Sequence, residues 1–279
     1  MDLQSLNSLI SSSNCLSLDI PDSVYRDSFG IAQSDLKLIK SKSLYHYRYA
    51  RESRKETEAL ILGRAIHKAV FEWDLFADDY VVLDKEVNLR TKEGRAHRDE
   101  LAKTHTVLKP DQMTLIKQVV ESIRRRPEIS ELIDGCEFER SHFVRHNERL
   151  VLKARTDGYN PKKNTIIDLK TTLDASPTSF IRDIFKYGYH FQDAFYIDVI
   201  EKLTSGTPNF RIIALEKNYP FEACTYELSP KSVAIGRKQY QAELEKLDKA
   251  LKEDKWPSYD HFNYVKPPAW LENIAFADV

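Results

Sequence analysis

Three residues near the middle of the chain have the types and spacing to work on a phosphodiester: Asp157, Asp168 and Lys170. They lie within Leu150 to Thr172, LVLKARTDGYNPKKNTIIDLKTT. Paired carboxylates can hold Mg2+, which takes one or two protein oxygens and keeps the rest of its octahedral shell for water and substrate phosphate. Two such ions, about 3.5–4 Å apart, would stabilise both the attacking and the leaving oxygen. Lys170 can orient or help deprotonate the attacking water, or offset negative charge on the phosphorane; near two cations its pKa should fall. The tripeptide alone is a weak signal, because acid-x-Lys arises by chance in a chain with 43 acids and 42 bases. A hairpin with a surface salt bridge would carry the same letters. The predicted elements around it give it weight.

Strand side chains repeat every two residues, so Asp168 and Lys170 share one face while Ile167 and Leu169 point into a core. Asn160, Pro161 and Asn164, with Lys162 and Lys163 exposed between them, mark a turn. Asp157 ends the preceding strand just before Gly158, so the hairpin can bring it beside Asp168. Upstream, CEFERSHFVR (Cys136 to Arg145) alternates as a third strand, with Glu139, Ser141 and Phe143 on one face and Phe138, Arg140 and Val144 on the other. Ser179 to Leu203 reads as helix with a break near Gly188, and Gln192 and Tyr196, four apart, share a face. Phe210–Leu215 and Phe221–Leu228 read as strands, and Ser229-Pro230 opens a long amphipathic helix to about Lys255.

Before the meander, the region from Thr57 to Trp73 is strongly amphipathic, with Leu62, Ile66, Ala69, Val70 and Trp73 as the buried stripe. Gly63 and His67 share a face at its edge. That glycine admits a close backbone or ligand, and the imidazole is either a ligand or a hydrogen-bonded packing residue. Pro110 and Asp111 open a further helix, ended by Pro127. Its Arg124, Arg125 and Arg126 suit a solvated helix end better than a phosphate contact. The order from Thr57 is helix, helix, three strands, helix, strand, strand, helix. This predicts an α/β (α+β) fold with a mixed central sheet flanked by helices.

Residues 1–30 read as an N-terminal arm and residues 31–279 as a single domain. Ser34 is a candidate cap for a helix from Asp35. From Lys37 to Lys55 there are seven Lys/Arg and one acid, with Tyr45, Tyr47 and Tyr49 interleaved. This suits either phosphate and base contacts or a solvated helix with packed tyrosines. Residues 78–109 read as a mobile, charged insertion, and the aromatic and proline residues of WPSYDHFNYVKPPAW as a docked tail. A net charge of −1 requires a local basic surface for any polyanion. Cys15, Cys136 and Cys224 are scattered, which excludes a zinc knuckle, an iron–sulfur cluster and a disulfide framework. No leader is visible and no apolar run approaches membrane-crossing length, so a cytoplasmic protein without membrane contact is expected.

These motifs resemble the restriction-endonuclease-like PD-(D/E)xK nuclease core, αβββαβ with Asp…Asp-x-Lys. Within it they resemble the exonuclease VIII (RecE) family of phage and prophage recombination exonucleases. The likeness runs from about Ile31 to Trp270 and rests on GRAIH at 63–67, E-R-S at 139–141, KARTD at 153–157, DLKTT at 168–172, YHFQDAFYID at 189–198, LEK at 215–217 and Trp-Pro at 256–257. It implies His67, Asp157, Asp168 and the Leu169 carbonyl as metal ligands and Glu139 near the metals through water. It makes Lys170 the catalytic lysine, with Gln192 and Tyr196 positioning water or phosphate. Thr156 departs from the proline that relatives often carry, which touches turn rigidity and not chemistry.

The implied activity is Mg2+-dependent 5′→3′ digestion of one strand of linear double-stranded DNA, with two ions and Mn2+ as a substitute. The resulting 3′ overhang would pass to a RecT-like single-strand annealing protein. The implied assembly is a homotetrameric ring, whose channel the basic segment could line through Lys42, Arg48 and Arg51. A DNA-binding recombination scaffold or an endonuclease on the same fold is the alternative. A CRISPR adaptation nuclease would need a four-cysteine iron–sulfur site that this chain lacks.

Overall fold

In a computed structural model of the chain, residues 2–49, 57–260 and 265–267 are described. Twelve α-helices and eight strands follow one another among them. They are α1 (Leu3–Ser12), β1 (Cys15–Leu18), α2 (Asp22–Asp27), α3 (Gln33–Ser41), α4 (Leu44–Tyr49), α5 (Glu58–Phe71), α6 (Phe76–Asp79), β2 (Tyr80–Val82), α7 (Lys92–Leu101), β3 (Thr106–Leu108), α8 (Pro110–Arg124) and α9 (Pro127–Ile133). Then come β4 (Glu137–Arg145), β5 (Val151–Asn160), β6 (Thr165–Thr172), α10 (Pro177–Lys186), α11 (Tyr189–Glu201), β7 (Asn209–Glu216), β8 (Ala223–Tyr226) and α12 (Pro230–Glu253).

The central sheet has the order β1-β4-β5-β6-β7-β8. Its pairs are antiparallel except β6 with β7, which run parallel. Parallel neighbours need a long crossover, and α10 and α11 supply it. The expected mixed sheet flanked by helices is therefore present. Alternation along β6 and β7 sorts the core onto two faces. Ile166, Phe210 and Ile212 pack with Phe191, Phe195 and Leu244 beneath α11 and α12. Ile167, Leu169, Ile213 and Leu215 pack on the opposite face with Ile66, Val119 and Ile129 of α5, α8 and α9.

Gly188, with φ of 67°, separates α10 from α11 as the sequence predicts. Gly236 lets α12 lie against the start of α11, since a Cβ there would stand 2.0 Å from the His190 carbonyl oxygen.

Two expectations change. The N-terminal arm is packed onto the sheet: β1 pairs along β4, and Leu6 and Ile10 are fully buried. The following segment is stitched to β5 by Lys153, whose ammonium donates to the carbonyls of Tyr25, Arg26 and Ser28 at 2.9, 3.1 and 2.8 Å. The 78–109 insertion is also organised. Its strands β2 and β3 pair in parallel around α7, which Thr91 caps by accepting from the Gly94 N–H at 3.0 Å. Helix α3 begins ahead of Ser34, and the Asp35 carboxylate closes its first turn by accepting the Ala32 N–H at 2.8 Å. The tail docks as expected as far as it is described: the Pro257 carbonyl accepts the Tyr45 N–H, and the Tyr47 ring stacks near Trp256. No described helix is long and apolar enough to cross a membrane.

Candidate active site

The ladder between β5 and β6 has three rungs, Asn160 with Thr165, Tyr159 with Ile166 and Gly158 with Ile167. The next rung would pair Asp157 with Asp168, and there the strands part. A side chain takes over from the main chain at this point, because the Leu169 N–H donates to Asp157 Oδ2 at 2.8 Å. His67 reaches the same oxygen from α5, its Nδ1 3.2 Å away. On the second strand, Lys170 Nζ lies 2.7 Å from Asp168 Oδ2, and Gln192 Nε2 of α11 donates to Asp168 Oδ1 at 2.6 Å. The fork thus brings His67, Asp157, Asp168, Lys170 and Gln192 together from four elements.

Glu139 approaches from β4 through a break in that strand's alternation. Phe138 packs with the α5 and α8 side of the core, whereas Val144, of the same parity, packs beneath α11. A single face for Phe138, Arg140 and Val144 was expected. The reversal occurs at Glu139, whose φ is 52°. Such a conformation costs a non-glycine residue energy and is held here by its surroundings. Arg155 Nε donates to Glu139 Oε2 at 2.7 Å, and its Nη1 donates to Ser141 Oγ at 2.7 Å and to the Ile20 carbonyl at 2.8 Å.

The His67, Asp157 and Glu139 side of the fork opens into a cleft of about 910 Å3, lined also by Gly63, Arg64 and Arg155, among others. Its outer walls come from the 21–26 segment and from residues 102–106 of the insertion. A Cβ on Gly63 would meet nothing within 4 Å, so that turn of α5 presents open space rather than a packed neighbour.

The charges are interdependent. Burial, reinforced by Asp157, pushes the Asp168 carboxyl above the usual range against the pull of Lys170. Burial also opposes the charge on Asp157, but His67, Lys170 and the Leu169 amide hold that carboxyl below its ordinary value. For Lys170, burial is outweighed by Asp168 and Asp157, so without a cation the ammonium is favoured, opposite to the fall expected beside two metals. Burial of His67 is likewise outweighed by Asp157, which raises its pKa. Glu139 is raised by burial and then by Asp157.

The donors fit a hard divalent cation. Asp168 Oδ2 is buried and receives no directional hydrogen bond, although Lys170 Nζ stands close by. A cation would satisfy that oxygen, and the two carboxylates are the oxygen donors a hard divalent ion takes, with the imidazole of His67 a softer donor beside them. Among the described residues no three His, Cys, Asp or Glu side chains converge into a ready-made cage. Magnesium does not require one, since it commonly takes one or two carboxylates and keeps waters. A cation would displace the proton that Asp157 favours on His67, because imidazole ligates only when neutral.

Not every expected residue joins the fork. The Tyr196 hydroxyl donates to the Arg155 carbonyl at 3.0 Å, so it braces β5 two residues before Asp157 instead of sharing Asp168 with Gln192. Of Leu169, the N–H is what the fork engages. Lys42 and Arg48 are exposed on the α3–α4 side, with Arg48 over the Trp256 ring at 5.0 Å, and neither lines the cleft. Arg51 and Trp270 lie outside the described residues. The arginines at the end of α8 are engaged locally, Arg124 over Trp73, Arg125 with Glu121 and Arg126 with Glu222.

Three further residues escape a reading from sequence. Arg155 is one; its alternation with Asp157 in KARTD is the available signal. Lys37 is another: burial, followed by Lys170, pushes its ammonium down to about 8, and its stem packs on Gly188. The third is Asp193, beside Gln192 and buried, whose carboxyl burial and then Asp168 push up to about 8.

A family model described as a PDDEXK-like domain of unknown function (DUF3799) matches residues 35–268. No curated protein matches the chain by sequence. Among solved structures, a candidate exonuclease from Eubacterium rectale shares the fold, with a TM-score of 0.61 and 13% identity over 93% of this chain and 99% of that one. A phage-related exonuclease from Haemophilus somnus aligns at a TM-score of 0.34 and 13% identity, covering 81% of this chain and 97% of that one.

Proposed function

Because the chain belongs to the DUF3799 family of PDDEXK-like domains, we propose that it is a metal-dependent nuclease. More specifically, we read it as a Mg2+-dependent exonuclease of the RecE type that digests linear double-stranded DNA 5′→3′. The observation that carries this reading is the fork at Asp157 and Asp168, with Lys170 leaning on the second carboxylate.

His67, Asp157, Asp168 and the Leu169 carbonyl would hold the cation, with a second ion and Mn2+ as variations on the same donors. When bound, it would polarise the phosphodiester and lower the pKa of a coordinated water. The chain's own groups then have distinct tasks. Lys170 supplies positive charge at the phosphate, and its proton inventory depends on how strongly a cation competes for the two carboxylates. Gln192 fixes the rotamer of Asp168 through its amide, and Tyr196 fixes the strand that carries Asp157. Glu139, which lines the cleft and pairs with Arg155, would hold a water at the cleft edge. The exposed Lys42 and Arg48, with Arg51, would meet phosphates in the channel of a tetrameric ring, and the 3′ overhang would pass to a RecT-like annealing protein.

The test is digestion of linear and covalently closed circular duplex DNA in Mg2+, in EDTA, and with Asp168→Asn. Loss of the linear form alone, in Mg2+ alone and with the unaltered chain alone, supports the exonuclease. Nicked circles point to an endonuclease, and binding without degradation to a recombination scaffold. Replacing Lys42, Arg48 and Arg51 should weaken duplex binding and flatten its salt dependence.

A further inference from the structure

Helix α10 buries Phe180 and Ile184 against the body and leaves its other face bare. On that face Ile181 and Phe185 sit one turn apart, each about half exposed at 48% and 47%, with Tyr187 at 50% at the helix end. Arg182 and Lys186, also one turn apart and exposed, run between the apolar residues. Arg182 Nε donates to the Thr178 carbonyl, and Lys186 Nζ lies 5.0 Å over the Tyr187 ring. The helix's acid, Asp183, is half-buried and faces Thr172, 3.5 Å from its hydroxyl, while Asp174 is the acid whose charge reaches Arg182.

This face leads to the fork. The Tyr187 ring lies 6.0 Å from that of Tyr189, and Lys170 Nζ lies 5.1 Å over Tyr189. Phe185 stands 5.1 Å from the His190 ring, at the start of the helix that carries Gln192. Rings and cations therefore run without a gap from solvent to the site lysine.

We propose that the outer face of α10, with Tyr187, is a platform for single-stranded DNA that seats unpaired nucleotides beside Lys170. Phe185 and Tyr187 stack bases, while Arg182 and Lys186 meet the flanking phosphates. The chemistry selects a single strand, because surface rings gain only from bases whose faces are not already stacked within a duplex. It disfavours a two-fold contact with a second copy of the chain, which would set Arg182 and Lys186 against their own counterparts. The proposal deepens the nuclease reading, on which it rests, by naming where the unpaired part of the substrate lies.

The test is fluorescence anisotropy of a labelled twelve-nucleotide oligothymidylate and of a blunt duplex, both in EDTA with the full chain. Phe185→Ala and Tyr187→Ala should each weaken oligothymidylate binding roughly five- to hundredfold, with Tyr187→Phe close to the unaltered chain. The Arg182→Ala/Lys186→Ala pair should flatten the salt dependence. Unchanged oligothymidylate affinity in the Phe185→Ala/Tyr187→Ala variant, at an unaltered melting temperature, overturns the platform. A smaller sedimenting mass with unchanged affinity per chain also overturns it and makes the face a subunit contact. Because binding is read in EDTA, the two readings fail separately. Binding through α10 without Mg2+-dependent digestion removes the nuclease, whereas digestion with indifferent α10 variants removes the platform.

Discussion

Acid should unfold this protein through His142 more than through an average carboxylate. His142 sits on β4 between Ser17 and Ala154, with only 3% of its surface exposed. Its Nε2 lies 3.2 Å from Thr156 Oγ1, while Nδ1 is buried without a hydrogen-bond partner. A proton there would be desolvated and would face the guanidiniums of Arg140 and Arg155. Burial first, and those two charges after it, push the imidazole from about 6.5 down to about 3. The folded pKa is therefore depressed, and below pH 6.5 the unfolded chain binds a proton that the folded chain refuses. Stability from this group is complete above pH 6.5 and is lost as pH falls toward 3. At pH 4.5, two units below the unfolded value, the loss is roughly 3 kcal/mol, at about 1.4 kcal/mol per unit. Urea unfolding of the unaltered chain and of His142→Gln at pH 7.5 and 4.5 measures it. The histidine chain should lose roughly 3 kcal/mol more than the variant over that interval. Equal losses in two chains that are both folded at pH 7.5 would refute the assignment.

Three other outcomes follow from packing. Gly236→Ala would drive a methyl into the His190 carbonyl and should cost about 1–3 kcal/mol or force α12 off α11, seen as a lowered urea midpoint. Lys153→Met removes the donor shared by three carbonyls; it should cost about 1–3 kcal/mol and speed proteolysis within residues 22–31 before the rest of the chain. Tyr196→Phe strands the Arg155 carbonyl at a cost of about 1–3 kcal/mol. Single-turnover digestion by this variant should slow while DNA affinity stays constant.

Much of this molecule is legible from its letters because its central strands obey simple alternation. TIIDLKTT is buried on both faces, so parity alone puts Ile167 and Leu169 into one core and Asp168 toward α11. Gln192 shows itself through its position on a helix that must cover that face. Other features depend on contacts distant in sequence. β1 is four residues at a sheet edge, and CLSL carries too short a pattern to announce pairing with β4. The insertion's polar letters conceal an ordered turn because Gly94, not an apolar stripe, packs it: a Cβ there would stand 2.1 Å from the Asn88 carbonyl oxygen. Lys37 lies in a run that reads as surface charge, and only the approach of Gly188 reveals that it is half-buried within electrostatic reach of Lys170. Glu139 gives no local hint of its left-handed backbone, since no glycine or asparagine occupies that position. Parity for the rest of β4 consequently fails on one side of it.

The point where β5 and β6 separate has an implication for how position 157 tolerates change. Its carboxylate serves as architecture, standing in for a main-chain acceptor toward Leu169, and also contributes charge to the cleft. Asparagine could preserve the first duty while surrendering the second. Glutamate could preserve the charge, yet its added methylene would shift the oxygen away from the amide it must meet. Aspartate alone satisfies both, so scaffold and chemistry constrain the same few atoms, and the residue is pinned twice over.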